Sequence, residues 1–208
     1  IEHTQLFVAF GGLPKRNAQV AYGGVTEHRT AIDLSRARAA GAQFVSISPI
    51  ANDTAADLDA SWLAPVPGTA VALMLGLAYV LETQNLTATA FLRSHCVGYA
   101  KVRDYLLGKT DGVAKTPHWA SIICGVSVDE IESLARKMAN RRTFLTAAWS
   151  LQRGDHGEQP YWMLVTLAAM LGQIGLPGVR PGGCRGAAAG RAARPPQWAA
   201  HLGRPFFG

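Results

Sequence analysis

The chain has 208 residues, 49% hydrophobic and 16% charged, which suits one large globular domain or two small ones with a sizeable buried core. Its net charge of +6 does not mark a nucleic-acid surface, because the excess sits in a tail of five arginines and no acidic residue after Gly178. The remaining body carries fifteen basic against fourteen acidic residues and no basic stripe interleaved with aromatics, which excludes a nucleic-acid partner.

Gln5 to Phe10 is a continuous apolar run ended by Gly11-Gly12, as expected of a strand buried on both faces of a parallel sheet. Glu27 to Ala40 reads as a helix stopped by Gly41, and Gln43 to Ser48 as a second strand closed by Pro49. These three make a βαβ unit. Asp53 to Pro67 reads as an irregular excursion with a short strand around Trp62. Thr69 is the expected N-cap of a helix through Leu81, and Thr87 opens another through His95. The apolar run Val71 to Leu81 is too short to span a bilayer.

Gly98 to Leu107 reads as a short helix and Leu107 to Gly112 as a turn. Ser127-Val-Asp-Glu130 matches a capping box opening a helix that ends near Asn140. Arg142 to Trp149 returns to strand character, and Glu158 to Gly172 is a helix apolar on most of its circumference, hence buried. The order predicts an α/β fold, a parallel-sheet domain with a helical insertion, over residues 1–178. Residues 179–208, rich in Gly, Ala, Arg and Pro without apolar periodicity, read as a separate disordered tail. A shifted reading frame in a GC-rich gene would produce it; a genuine basic tail is the alternative.

Cys96, Cys124 and Cys184 have no metal-type spacing, so reduced, mostly buried thiols are expected and no protein-held metal site. No signal peptide opens the chain and its first residue is Ile, so a cut through a larger protein is expected. No Gly-x-Ser-x-Gly elbow supports a hydrolase.

Three constellations carry chemistry. Gly11 and Gly12 follow the first strand, where ligands approach the backbone in open parallel sheets, and Lys15 and Arg16 add charge for a pyrophosphate. The same residues also make an ordinary tight turn with two solvated cations. Ser46, Ser48 and Pro49 end the second strand; their hydroxyls suit a sugar, and Ser before Pro also simply terminates a strand. Trp149 to Pro160 crowds an indole, two amides, a guanidinium, an imidazole and two carboxylates into one loop. There Trp149 offers a flat surface, Gln152 a partner for a heterocycle edge and Arg153 a cation for an anionic group. His156 and Glu158 suit either proton relay or helix capping, and capping is the preferred role for Glu158.

Residues 5–178, through the Gly11-Gly12 turn, Thr110-Asp-Gly-x-x-Lys-Thr-Pro-x-Trp119 and the Trp149 to Gly178 block, resemble the DMSO reductase family of molybdopterin oxidoreductases. The resemblance is on the side of biotin sulfoxide and trimethylamine N-oxide reductases. It implies one of that family's two Rossmann-like dinucleotide-binding domains and a molybdenum bis(molybdopterin guanine dinucleotide) cofactor. It implies reduction of sulfoxides or N-oxides by oxygen-atom transfer, the substrates including biotin sulfoxide, methionine sulfoxide and trimethylamine N-oxide. It further implies an electron donor protein or quinol-linked cytochrome.

By resemblance, Trp149, Arg153 and His156 are catalytic. Gly11, Gly12, Lys15, Arg16, Ser46, Ser48, Pro49, Thr69, Ser150, Gln152 and Gln159 contact the cofactor. Where the family usually carries an Asp that accepts from guanine, this chain has Ala70, which implies weakened guanine binding unless Asp53, Asp57 or water substitutes. The metal's serine ligand is expected upstream, so this chain alone is expected to be an inactive piece of a reductase. Its compartment is expected to be the cytoplasm, or the periplasm if an upstream segment carries an export signal. Rival expectations are a stand-alone nucleotide-binding module and an inert structural fragment.

Overall fold

The computed structural model describes residues 3–14 and 29–177. Strand β1 (Leu6–Phe10) is buried along its whole length because it has a parallel neighbour on either side. It pairs with β2 (Gln43–Ile47) and β4 (Thr143–Ala147), while β3 (Ser61–Leu63) adds to the outer side of β2, giving the order β3-β2-β1-β4. All pairings are parallel, so every strand ends at the same edge.

The alternation of side chains along a strand divides the core into two layers. Leu6, Val8, Phe10, Val45, Ile47, Leu145 and Ala147 face one way, into the larger cluster. Phe7, Ala9 and Phe44 face the other, where Leu34 and Ala37 of α1 (Thr30–Ala39) cover them. The larger layer is roofed by the helices inserted between β3 and β4 and by the one that follows β4. The insertion consists of α2 (Ala70–Thr83), α3 (Thr89–His95), α4 (Tyr99–Leu106), α5 (Pro117–Cys124) and α6 (Val128–Ala139). After β4 comes α7 (Gln159–Leu171). Helix α2 is buried nearly all round, packed against α5, α6 and α7, which is why its sequence shows little amphipathicity. The expected α/β sheet with a helical insertion is what forms.

Several local expectations need correction. Helix α5 escapes sequence reading because Pro117 looks like a breaker. It sits in the first turn, where no intrahelical bond is lost, and the Thr116 side chain accepts from the Trp119 amide at 3.1 Å. Thr69 stands at the start of α2 but its hydroxyl donates to the Val66 carbonyl at 2.6 Å and caps nothing. Glu158 likewise precedes α7 without a side-chain cap, its own backbone already helical. Strand β4 stops at Ala147, and Trp149–Arg153 coil into a 3₁₀ turn. Helix α3 starts at Thr89, two residues after the expected Thr87.

The Ser127–Glu130 capping box forms in full. Cys124 is fully buried and Cys96 half-buried, and burial pushes both thiols up from their ordinary values. Lys15, Arg16, Glu27, Cys184 and the expected tail, 179–208, lie outside the described residues. Among the described residues no helix is long and apolar enough to cross a membrane.

One buried cation organises the link from α4 to α5. Lys115 is 2% exposed, and its ammonium donates to the Asp111 carboxylate and the Val113 carbonyl, both at 2.5 Å. It also lies 4.3 Å from the centre of the Tyr105 ring, whose face attracts a desolvated cation.

Candidate functional site

The chain runs from β1 outward through β2 to β3, then crosses back to place β4 on the other side of β1. The reversal makes the β1–β4 boundary a topological switch point. Loops leaving two such strands diverge to opposite faces and open a crevice at the carboxyl edge. Here α1, the next described helix after β1, lies on one face, and α7, which follows β4, lies on the other.

Glycine is required where these loops meet. Gly11 has φ +86° and Gly12 φ +84°. A Cβ on Gly11 would lie 2.8 Å from the Ala148 Cβ, with Ser150 and Leu151 next, and one on Gly12 would lie 2.6 Å from the Asp53 carbonyl oxygen. The turn is held by Gly11 N–H to the Ile47 carbonyl and Leu13 N–H to the Asp53 carbonyl, both 2.7 Å. The β4 loop is tied on by the Ala148 N–H to the Phe10 carbonyl at 2.7 Å and by the Tyr161 hydroxyl to the Ala148 carbonyl at 2.9 Å. Its far end is anchored where Gly157 packs against the backbone of Gln152 so closely that a Cβ would lie 2.3 Å from the carbonyl oxygen.

Between those anchors Trp149, Ser150, Gln152 and Arg153 are exposed beside the crevice. This brings together the indole, hydroxyl, amide and guanidinium singled out from the sequence. His156 lies beyond them at φ +52°, with its imidazole 3.7 Å from Asp155 and 4.0 Å from Glu158, all three exposed. Gln159 opens α7, its N–H on the His156 carbonyl at 3.0 Å.

Ser46 lies in β2 and Ser48 directly after it, and both are buried. Each is 1% exposed, so both hydroxyls are turned away from solvent and engaged by protein groups. Ser46 pairs with Thr54, and Ser48 donates to the Asp53 carboxylate at 2.9 Å. They fasten the β2 loop under the edge, while Pro49 beside them is exposed. Thr69 lies half-buried between β3 and α2. Ala70 is 8% exposed, so an Asp in its place would be a buried carboxylate unless a ligand met it.

Sequence reading missed Tyr161 and Gly157, named Asp53 only as a substitute guanine acceptor, and gave Trp62 only a place in a short strand. The last is signalled only by an aromatic in a short edge strand. Its indole N–H donates to the Ser48 carbonyl at 2.8 Å, and the residue is 47% exposed.

Comparison with known proteins agrees with this architecture. Residues 1–201 match the family described as molybdopterin oxidoreductase. The chain is 42% identical over 178 residues to trimethylamine-N-oxide reductase of Haemophilus influenzae, covering 86% of this chain and 22% of that one. It is 41% identical to dimethyl sulfoxide/trimethylamine N-oxide reductase of Rhodobacter capsulatus, covering 85% of this chain and 21% of the relative. It is 39% identical to biotin sulfoxide reductase of Cereibacter sphaeroides, covering 85% and 24%. The chain thus spans about a fifth to a quarter of the length of these curated relatives. Among solved structures, acetylene hydratase from Pelobacter acetylenicus shares the fold at a TM-score of 0.65 and 18% identity, over 85% of this chain and 22% of that one. The switch-point sheet, the inserted helices and sequence identity near two-fifths across most of the chain lead to one conclusion: the chain belongs to the molybdopterin oxidoreductase family.

Proposed function

We propose that this chain is the part of a molybdenum enzyme that holds one molybdopterin guanine dinucleotide across the β1–β4 crevice, and that the whole enzyme reduces sulfoxides or N-oxides. The observation that carries this is the convergence of the Gly11-Gly12 turn and the Trp149–Arg153 loop at the switch point. The donor set fits such a group. Gln152 pairs with a pterin edge, Trp149 provides a ring surface, and Arg153 provides a cation for a phosphate or a polar S–O or N–O bond. Ser150 and Gln159 supply further polar contacts, and His156 moves a proton at the outer rim. Lys15 and Arg16, directly after the glycine turn in sequence, supply charge for the pyrophosphate.

When bound, the molybdenum centre supplies the two-electron exchange and accepts the oxygen atom. The protein's share is orientation and electrostatics, with electrons arriving from a separate donor protein or quinol-linked cytochrome. The unpaired Cys96 and Cys124 favour a reducing compartment, the cytoplasm.

The test grafts residues 5–178 in place of the matching segment of the Haemophilus influenzae relative. The chimera is assayed for bound molybdenum, for guanosine monophosphate released by acid, and for reduction of trimethylamine N-oxide and biotin sulfoxide. Retention of both cofactor components with turnover is expected. A folded chimera that holds neither component refutes the reading.

A further inference from the structure

Trp62 combines two properties that seldom occur together. Its indole is fixed, because Nε1 donates to the Ser48 carbonyl at 2.8 Å, and Ser48 is 1% exposed and bonded to Asp53 at 2.9 Å. Asp53 in turn lies against Gly12 and accepts from Leu13, so the ring is joined to the glycine turn through a short series of rigid contacts. Yet Trp62 is 47% exposed as a residue, and Ile50 on the neighbouring loop is 59% exposed. A tryptophan held at its polar end with its apolar face left bare is a ready stacking surface.

Its place in the sheet gives that surface a counterpart. Trp62 lies in the edge strand β3, on one side of the crevice, and Trp149 follows β4 on the other. Three strand spacings separate the two wings, about 14 Å. The wings differ in charge. Between Ser48 and Gly68 there is no Lys or Arg, and Asp53, Asp57 and Asp59 lie in that stretch. Arg38 lies 3.7 Å from Asp59, and the carboxylates of Asp53 and Asp57 suit a base that presents N–H donors better than a phosphate. The Trp149 wing carries Arg153 and Gln152, with Asp155 and Glu158 further along the same loop beside His156.

We propose that Trp62 is the platform on which the purine base of the dinucleotide stacks, with the pyrophosphate over the glycine turn and the pterin on the Trp149 wing. This rests on the reading of the crevice as a dinucleotide site and adds a stacking residue for its base. Trp62 is a binding and orienting residue, with no part in oxygen transfer.

The experiment uses the full chain, with GDP and inorganic pyrophosphate as probes in equilibrium dialysis, for wild type, Trp62→Ala, Trp62→Phe and Trp62→Leu. Far-UV circular dichroism identifies any variant that has not folded, and the Phe and Leu variants keep the comparison if Ala fails. Losing a base–aromatic stack raises Kd about 5- to 150-fold. The Kd for GDP is expected to rise by that factor in the Ala and Leu variants and much less in Phe. The Kd for pyrophosphate is expected to stay constant, and GDP is expected to quench the tryptophan emission of wild type more than that of Trp62→Phe. Unchanged GDP binding in Trp62→Leu overturns the platform and leaves the phosphate site standing. Equal loss of GDP and pyrophosphate also overturns it, because Trp62 then acts only by supporting Ser48. Failure of wild type to bind either probe overturns both the platform and the reading beneath it.

Discussion

Replacing Gly12 by Ala tests whether the loops after β1 and β2 are as tightly joined as the geometry requires. Two costs combine. At φ +84° an L-residue loses about 1–2 kcal/mol relative to glycine. The added methyl would also lie 2.6 Å from the Asp53 carbonyl oxygen and 2.7 Å from its Cβ, and backbone cannot swing aside like the end of a flexible side chain. Overpacking of this kind costs about 1–3 kcal/mol. The sum is about 2–5 kcal/mol, a large part of the stability of an ordinary domain.

Gly41 separates the two costs, because it has φ +89° and nothing within 4 Å of its would-be Cβ. Gly41→Ala should therefore lose only the backbone share, about 1–2 kcal/mol. Urea titrations of both variants give the difference, and amide exchange at Leu13, whose N–H is bonded to Asp53, locates it. Equal destabilisation by the two substitutions would refute the steric argument and the tight joint with it.

Ala70→Asp places a carboxylate at a position only 8% exposed, so the nucleotide-free chain should lose about 1–3 kcal/mol, and GDP should raise the Tm of the variant more than that of wild type. Undiminished stability without nucleotide would show that the carboxylate finds water or a protein donor. The Lys115 ammonium holds the Asp111 carboxyl below its ordinary value, so that bond contributes in full above the unfolded carboxylate range and is lost as pH falls through the lowered folded value. The stability advantage of wild type over Asp111→Asn should fade on acidification in thermal scans; a pH-independent advantage would contradict this.

Burial, then the hydrogen bond to Glu82, pushes the Tyr99 hydroxyl well above its ordinary value, so its contribution is complete below pH about 10 and lost above it. Tyr99→Phe should flatten the alkaline loss of stability, and an unchanged slope would assign that loss to other groups. In the chimera, Arg153→Ala or Trp149→Ala should lower turnover about 10²- to 10³-fold while molybdenum content falls less. Wild-type turnover would remove this loop from the site.

Much was legible in the linear chain because it depends on local chemistry. Val8 and its neighbours form an apolar run without alternation, which only a strand covered on both faces accommodates. Ser127 and Glu130 close their capping box within one turn of chain, so no distant residue is needed to foresee it. The family resemblance rests on short segments, the Gly11-Gly12 turn, Thr110 to Trp119 and Trp149 to Gly178, in which the order of residue types is itself informative.

Tertiary structure decided what depends on which strands become neighbours. That β4 returns to the far side of β1 is a matter of long-range packing, and only that return makes the glycine turn and the Trp149 loop neighbours at one edge of the sheet. Ser46 and Ser48 looked like sugar ligands because their hydroxyls end a strand. The folding-over of Thr54 and Asp53 engages both, since a buried hydroxyl left unpaired is costly. Trp62 is the converse: nothing in its sequence neighbourhood distinguishes it from a core aromatic. Only the edge position of β3 and the carbonyl of Ser48 leave its ring fixed and uncovered.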